Sequence, residues 1–295
     1  MVGSGFQIEG YADDHQIYKP FTPLFQLKVL TDDIPKWFDS ISSWMLSYFL
    51  RLYPAKTKIL VFGPDSVLQN ITIRGIMLKC GTCIRFSNSS KNLGVIFCYH
   101  LNFDAQVSSV IKNCYRSLRN LWKVKPYLTS KPMGTLVCSL ILSILDYSNA
   151  LYYGINKRLL NKMQVVQNCA SRLIFGKRRC ESASNLLKRM HWLPVQERVL
   201  FKILLITYKC FYGDAPAYLK DLITPSQSLT NFMDVVVPKA LTQYGDRAFG
   251  RTGPRAWNAL PLGLRCQNNI TIFKKELKHI LFNNSELILK KIALH

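Results

Sequence analysis

The amino-acid sequence predicts an α+β protein, with short strands and one helix in its first hundred residues and helices in most of the rest. Two patterns predict this. The first third holds short β-branched runs closed by Gly and Pro, whereas the chain from Asp104 onward repeats its apolar residues at helical spacing. At 295 residues, 48% of them hydrophobic, the chain can bury a core and is long enough for one large or two small domains. The patterns divide it into residues 1–103, 104–222 and 223–295.

The elements follow in order. Ile34, Trp37, Phe38, Ile41, Trp44, Met45, Tyr48, Phe49 and Leu52 recur at helical spacing and predict an amphipathic helix over 33–52. Asp32 or Asp33 is placed to cap it, and Pro54 lies just past its end. Residues 58–62 predict a strand closed by Gly63 and Pro64; Ile71, Ile73 and Ile76 predict another, and residues 92–97 a third. From Asp104, the residues Val107, Val110, Ile111, Cys114, Leu118, Leu121 and Trp122 mark one face of a helix. Lys112, Arg116, Arg119 and Lys123 mark the opposite face, roughly 150° away at about 100° per residue. Further helices are predicted at about 131–146, 157–175, 183–190, 195–212 and 271–283. Gly176 and Gly213 stand where helix ends expect them, and Pro194 suits a first turn. Residues 223–256, rich in Pro, Gly, Ser and Thr, predict a long connection or extended segment.

The charge narrows the function. The formal net charge is +22, which points to a polyanionic partner. It is unevenly spread: residues 105–180 carry thirteen Lys and Arg against one acid, Asp146. Residues 1–104 carry ten against eight. A solvated helix normally mixes signs, because opposite charges at i,i+4 support it. The longest apolar run, residues 136–145, is too short to span a bilayer. No basic stretch followed by an apolar one opens the chain, so no secretory signal is expected. Nine scattered cysteines predict reduced thiols, hence a nuclear or cytoplasmic protein.

Few residues could carry chemistry. Asp13 and Asp14, adjacent acids in Tyr11-Ala12-Asp13-Asp14, have the hard oxygens that hold Mg²⁺ or Mn²⁺ against a nucleoside triphosphate. An ordinary surface turn or helix cap uses the same pair. Lys112, Arg116, Arg119 and Lys123, joined by Lys125 and Lys131, could track a phosphate backbone, or form a plain solvated face. Lys157, Arg158, Lys162, Arg172, Lys177, Arg178 and Arg179 would extend that surface. Tyr115, Trp122 and Tyr127 are candidates to stack on bases, but Trp122 falls on the apolar face and is expected in the core. Cys80 and Cys83 have zinc-knuckle spacing without a second pair, so no closed zinc site is expected.

One resemblance runs along nearly the whole chain. The run from Tyr11 to Tyr18 (YADDHQIY) resembles the metal-binding hairpin of the palm in reverse transcriptases of LINE-type, jockey-like non-LTR retrotransposons. Residues 41–45 resemble the helix after it, 54–64 the next palm element, and 91–97 the strand region that grips the primer end. Residues 145–154 and 160–173 resemble the thumb of these elements. Residues 191–195, 244–249 and 254–261 resemble recurrent segments beyond it. The resemblance implies a truncated palm over 1–103, a helical thumb over 104–222 and a C-terminal region over 223–295. It implies Asp13 and Asp14 as catalytic metal ligands and Mg²⁺ or Mn²⁺ as cofactor. It implies that Lys56 assists the leaving pyrophosphate, unless it is a solvated lysine before a strand. Leu93 and Gly94 would position the primer end, unless Gly94 is a bulge glycine.

The chain departs from that pattern. Another metal-binding Asp comes from an earlier strand in the family, but only twelve residues precede Asp13, and Glu9 is their one acid. Tyr53 stands where Asn is usual and His15 where Thr is commoner. The expectation is a catalytically incomplete fragment of an RNA-directed DNA polymerase, which binds RNA, RNA–DNA hybrid or primer–template without polymerising by itself and without a membrane partner. A nonenzymatic nucleic-acid-binding protein and an unselected translation product are the alternatives. Residues 104–215 are expected to fold by themselves, whereas a hairpin cut from its sheet lacks partners.

Overall fold

Among the described residues, the first hundred form three antiparallel strand pairs and one long helix, and the periodic remainder forms helices. In a computed structural model of the chain, the described residues are 6–11, 14–22, 28–51, 53, 56–69, 71, 73–78, 81–177, 181–226 and 233–294. The chain divides into two compact units, Met1–Ala105 and Gln106–His295. The fold is mixed α+β and mainly helical. Among the described residues, no helix is long and apolar enough to cross a membrane.

In the first unit, β1 (Gln7–Tyr11) pairs with β2 (Asp14–Tyr18), β3 (Gly75–Met77) with β4 (Cys83–Arg85), and β5 (Ser89–Asn92) with β6 (Val95–Cys98). A π-turn, Val29–Asp33, leads into helix α1, Ile34–Ser47. Leu30, Phe38, Ile76, Leu78 and Ile84 form a small core, with Ile34, Trp37, Ile59, Ile71, Ile73 and Phe86 against it. The β1–β2 hairpin is fastened at its open end: Phe6 meets Trp37 at 5.7 Å between ring centroids, and Lys19 pairs with Asp33 at 2.6 Å.

Several expectations for this unit are corrected. The helix predicted to reach residue 52 stops at Ser47, and Phe49 turns to φ 60° with its ring 99% exposed. Asp33 caps nothing, because the chain is already helical there. Its carboxylate accepts from Lys19 instead, which holds it below its ordinary pKa. The strand predicted at 58–62 reduces to one parallel bridge between Ile59 and Phe86. Ile71 and Ile73 pack on the core without joining a strand. The strand predicted at 92–97 breaks at Leu93 and Gly94, whose φ values of 43° and 82° make the two-residue turn between β5 and β6. Positive φ at both central residues matches the twist of a hairpin.

The second unit is built from helices α2 (from Asp104–Val124), α3 (Ser130–Val137), α4 (Lys157–Phe175), α5 (Ala183–Arg189), α6 (Val195–Phe211), α7 (Phe249–Asn258), α8 (Ile270–Asn283) and α9 (Ser285–Leu294). A π-turn at Cys138–Leu142 carries α3 into a last turn, Ser143–Asp146. The side chain of Asn156 accepts from Arg158 N–H to start α4, and Gly176 at φ 64° ends it, as the sequence predicts. The core centres on α6, where Val199, Leu200, Ile203, Leu204 and Tyr208 are buried. Phe211 stacks on Trp257 of α7 at 5.3 Å, and Tyr208 meets Phe273 of α8 at 4.2 Å.

Residues 223–256 are therefore no mere connection, since α7 occupies their end. Its glycines misled the sequence reading, because they serve contact rather than flexibility. A Cβ on Gly253 would stand 2.7 Å from Thr207 Oγ1 of α6, so only Gly lets the helices approach this closely. The unit expected to end near residue 215 likewise extends through α7 and α8, because the aromatic face of α6 is completed by them.

Candidate nucleic-acid interface

Helix α2 segregates its residues by face. Val107, Val110, Cys114, Leu118 and Leu121 are buried. Gln106 Nε2 donates to Tyr152 Oη at 3.3 Å, and the Cys114 thiol reaches the Ile141 carbonyl at 3.9 Å. Burial pushes that thiol up to about 11, so it stays protonated and acts as a small core group. On the opposite face Lys112, Arg116, Arg119 and Lys123 are all exposed. Among the described residues none of the four enters an ion pair. They span twelve residues, about 16 Å of helix.

Trp122 corrects the sequence reading. It is not in the core; it is 65% exposed, with Tyr127 at 85% and Tyr115 at 39%. At about 100° per residue it lies near the border of the apolar face. Periodicity cannot decide a border position; the reach of the neighbouring elements does.

Lys125 also departs from the predicted stripe. Its ammonium donates to the Ile174 carbonyl at 2.7 Å, beside Ser130 Oγ at 3.3 Å. Ile174 lies in the last turn of α4, where carbonyls lack helical partners and the dipole favours a cation. Lys125 thus fastens the end of α2 to the end of α4. Arg172 is committed too, forking onto the Glu181 carbonyl at 3.0 and 2.9 Å. Lys131, Lys157, Arg158, Lys162 and Lys177 remain exposed, with Lys177 paired to Glu181 at 3.0 Å. Arg178 and Arg179 lie outside the described residues.

The segments that carry the resemblance meet one another in this unit. Gln167, fully buried, donates to the Leu193 carbonyl at 2.9 Å, and Gln164 Oε1 accepts from Val195 N–H at 2.8 Å. Asp146 takes a forked pair from Arg198, with Nε at 2.7 Å from Oδ1. Arg247 Nε donates to the Tyr153 carbonyl at 3.3 Å. These polar groups hold the scaffold together. The lone acid of residues 105–180 is spent on Arg198, away from the charged row on α2.

In the first unit, Asp14 opens β2 opposite Tyr11 and is exposed; Asp13 lies outside the described residues. Side chains alternate along strands, so Asp14, Gln16, Glu9 and Tyr11 share one face of the hairpin. Gln16 Nε2 donates to Asn92 Oδ1 at 3.0 Å, which brings this hairpin beside the turn at Leu93 and Gly94. Gly94 is the turn residue of a hairpin and not a bulge glycine. Lys56 is anchored locally, its ammonium 5.9 Å from the centroid of the Tyr53 ring. Among the described residues no group of three His, Cys, Asp or Glu side chains could hold a metal ion. Asp14 and Glu9 share that face of the hairpin, and one or two carboxylates are what a protein commonly offers Mg²⁺ or Mn²⁺, with waters and phosphate oxygens completing the shell. Cys83 is exposed and unbridged, and Cys80 lies outside the described residues.

No protein-family model, curated protein or solved structure matches the chain.

Proposed function

We propose that this protein binds nucleic acid through the exposed basic face of α2. The observation that carries the reading is the row Lys112, Arg116, Arg119 and Lys123, exposed and without an ion-paired acid among the described residues. Desolvating four like charges with no counter-charge is unfavourable unless a polyanion supplies it. A phosphate backbone does so at roughly 3.4 Å of rise per charge on each strand, so the row can follow about five steps of a duplex strand. The contacts position the strand and carry little base information.

In this reading the protein belongs to the reverse-transcriptase lineage of LINE-type retrotransposons, with α2 in the thumb and β1–β2 in the palm. RNA, RNA–DNA hybrid and primer–template are its partners. Asp13 and Asp14 would be the metal ligands of the parent enzyme, with Lys56, Leu93 and Gly94 near the nucleotide and primer end. Resemblance alone supports those roles. The unbridged state of the seven described cysteines suits a reducing nuclear or cytoplasmic setting.

A salt titration tests the binding. The observed affinity for an RNA–DNA hybrid should fall steeply with salt, by a slope of about −0.9 for each phosphate neutralised. Replacing Lys112, Arg116, Arg119 and Lys123 by Gln should weaken binding and reduce the slope by roughly 3.6. An unchanged slope would remove α2 as the interface.

A further inference from the structure

The charged row is only the middle of the exposed face of α2. Taking about 100° per residue, Tyr115 and Trp122 both lie about 80° to one side of its centre, seven residues apart. Asn113 and Asn120, also exposed and seven apart, lie on the other side. The face therefore has three parallel lanes: amides, cations and aromatic rings. Trp122 is 65% exposed, an unusual setting for the largest apolar side chain, and Tyr127 follows it at 85% just past the helix.

An aromatic lane beside a cation lane has a specific chemical fit. A duplex presents phosphates but keeps its base faces stacked inside, so it could use the cations and leave the rings idle. An unpaired strand offers both. Its phosphates lie along the cations while its bases turn sideways onto the rings, where each stacked base adds affinity with little regard to sequence. Tyr115 and Trp122 are about 10 Å apart along the axis, so they would take two separate bases rather than one continuous stack.

We propose that α2 is a single-strand site, with unpaired RNA or DNA bases stacking on Trp122 and Tyr115 while Lys112, Arg116, Arg119 and Lys123 hold the phosphates. The proposal rests on the nucleic-acid reading above and names its substrate: unpaired nucleotides, including the single-stranded template beside a primer.

The test uses the full chain with two probes, a short oligo(U) and a blunt RNA–DNA hybrid, and three variants. Trp122→Ala should weaken oligo(U) binding roughly 10-fold while leaving the hybrid within about 2-fold and the salt slope unchanged. Trp122 is exposed, so an unaltered melting temperature should confirm the fold. Oligo(U) should also quench tryptophan fluorescence in the native chain. Trp122→Phe should abolish that quench, and an abasic oligomer of equal length should not produce it. Equal losses on both probes, or no loss and no quench on oligo(U), would overturn stacking. If the four-Gln variant still weakens both probes in that case, the basic surface stands without its aromatic lane. If the four-Gln variant binds both probes like the native chain, the nucleic-acid reading falls and this proposal with it.

Discussion

Single polar residues of the second unit act mainly on structure. Asp246 shows how. It accepts from Arg251 Nε at 2.7 Å and from Arg255 at 3.0 Å, and Arg255 in turn donates to the Ile292 carbonyl at 3.1 Å near the end of α9. The Arg251 hydrogen bond, with the charges of Arg255 and Arg251, holds the Asp246 carboxyl below its usual 3.8 despite partial burial. A folded-state pKa below the unfolded value means that the contribution is present above 3.8. It is lost as pH falls through the lower folded value. The Asp246 side chain is half exposed, so screening keeps the effect modest. In thermal melts, Asp246→Asn should lower the melting temperature at neutral pH, and the gap to the native chain should close in acid. A gap independent of pH would show that the carboxylate charge is not what Arg251 and Arg255 use.

At the scale of elements, α6 and α7 show close approach prevailing over helix propensity. Gly250, Gly253 and Pro254 are poor helix formers, yet all three lie within α7. The buried contact explains Gly253, whose added Cβ would meet Thr207 Oγ1 at 2.7 Å and Phe249 Cε2 at 3.2 Å. Gly253→Ala should therefore destabilise the protein by about 1–3 kcal/mol despite the better propensity of Ala. Chemical denaturation measures it. Adding Thr207→Ala should restore part of the loss, since it removes the nearer atom. A Gly253→Ala midpoint equal to or above the native one would mean that the helices are not so tightly apposed. Helix α2 teaches the complementary lesson: its cation row and its core face were legible from spacing alone, but Lys125 and Trp122 were not. Lys125 is drawn to carbonyls that α4 leaves open some fifty residues later, and no local pattern announces that partner.

For the whole molecule, the two units differ in what holds them. Among the described residues, the first has three separate two-stranded pairs and a small core, and Trp44, Tyr48 and Phe49 of and beyond α1 are exposed. Isolated strand pairs are marginal in water. The second buries Trp257, Tyr208, Phe273, Met163 and the aliphatic face of α6 almost completely. Limited proteolysis should therefore cut the first hundred residues quickly. It should leave a fragment that starts near residue 106 and runs past residue 283. A resistant fragment ending near residue 215 would show that α7 and α8 are not part of that core, and equal rates in both units would show that the strand pairs are better supported than their packing suggests.

The sequence by itself determined the class of fold, the positions of the long helices after Asp104 and the concentration of positive charge in residues 105–180. Each is a local quantity: the helical repeat is set by the backbone, and a shortage of acids can be counted without coordinates. Only the tertiary structure decided that Trp122 faces outward, that Lys125 closes the end of α4, that Asp146 answers Arg198, and that a glycine-rich stretch is a helix pressed against α6. Each of these depends on what another part of the chain brings within a few ångströms. A side chain at the border of two faces has no preference that periodicity can read, and a polar group takes whichever unsatisfied partner the fold delivers.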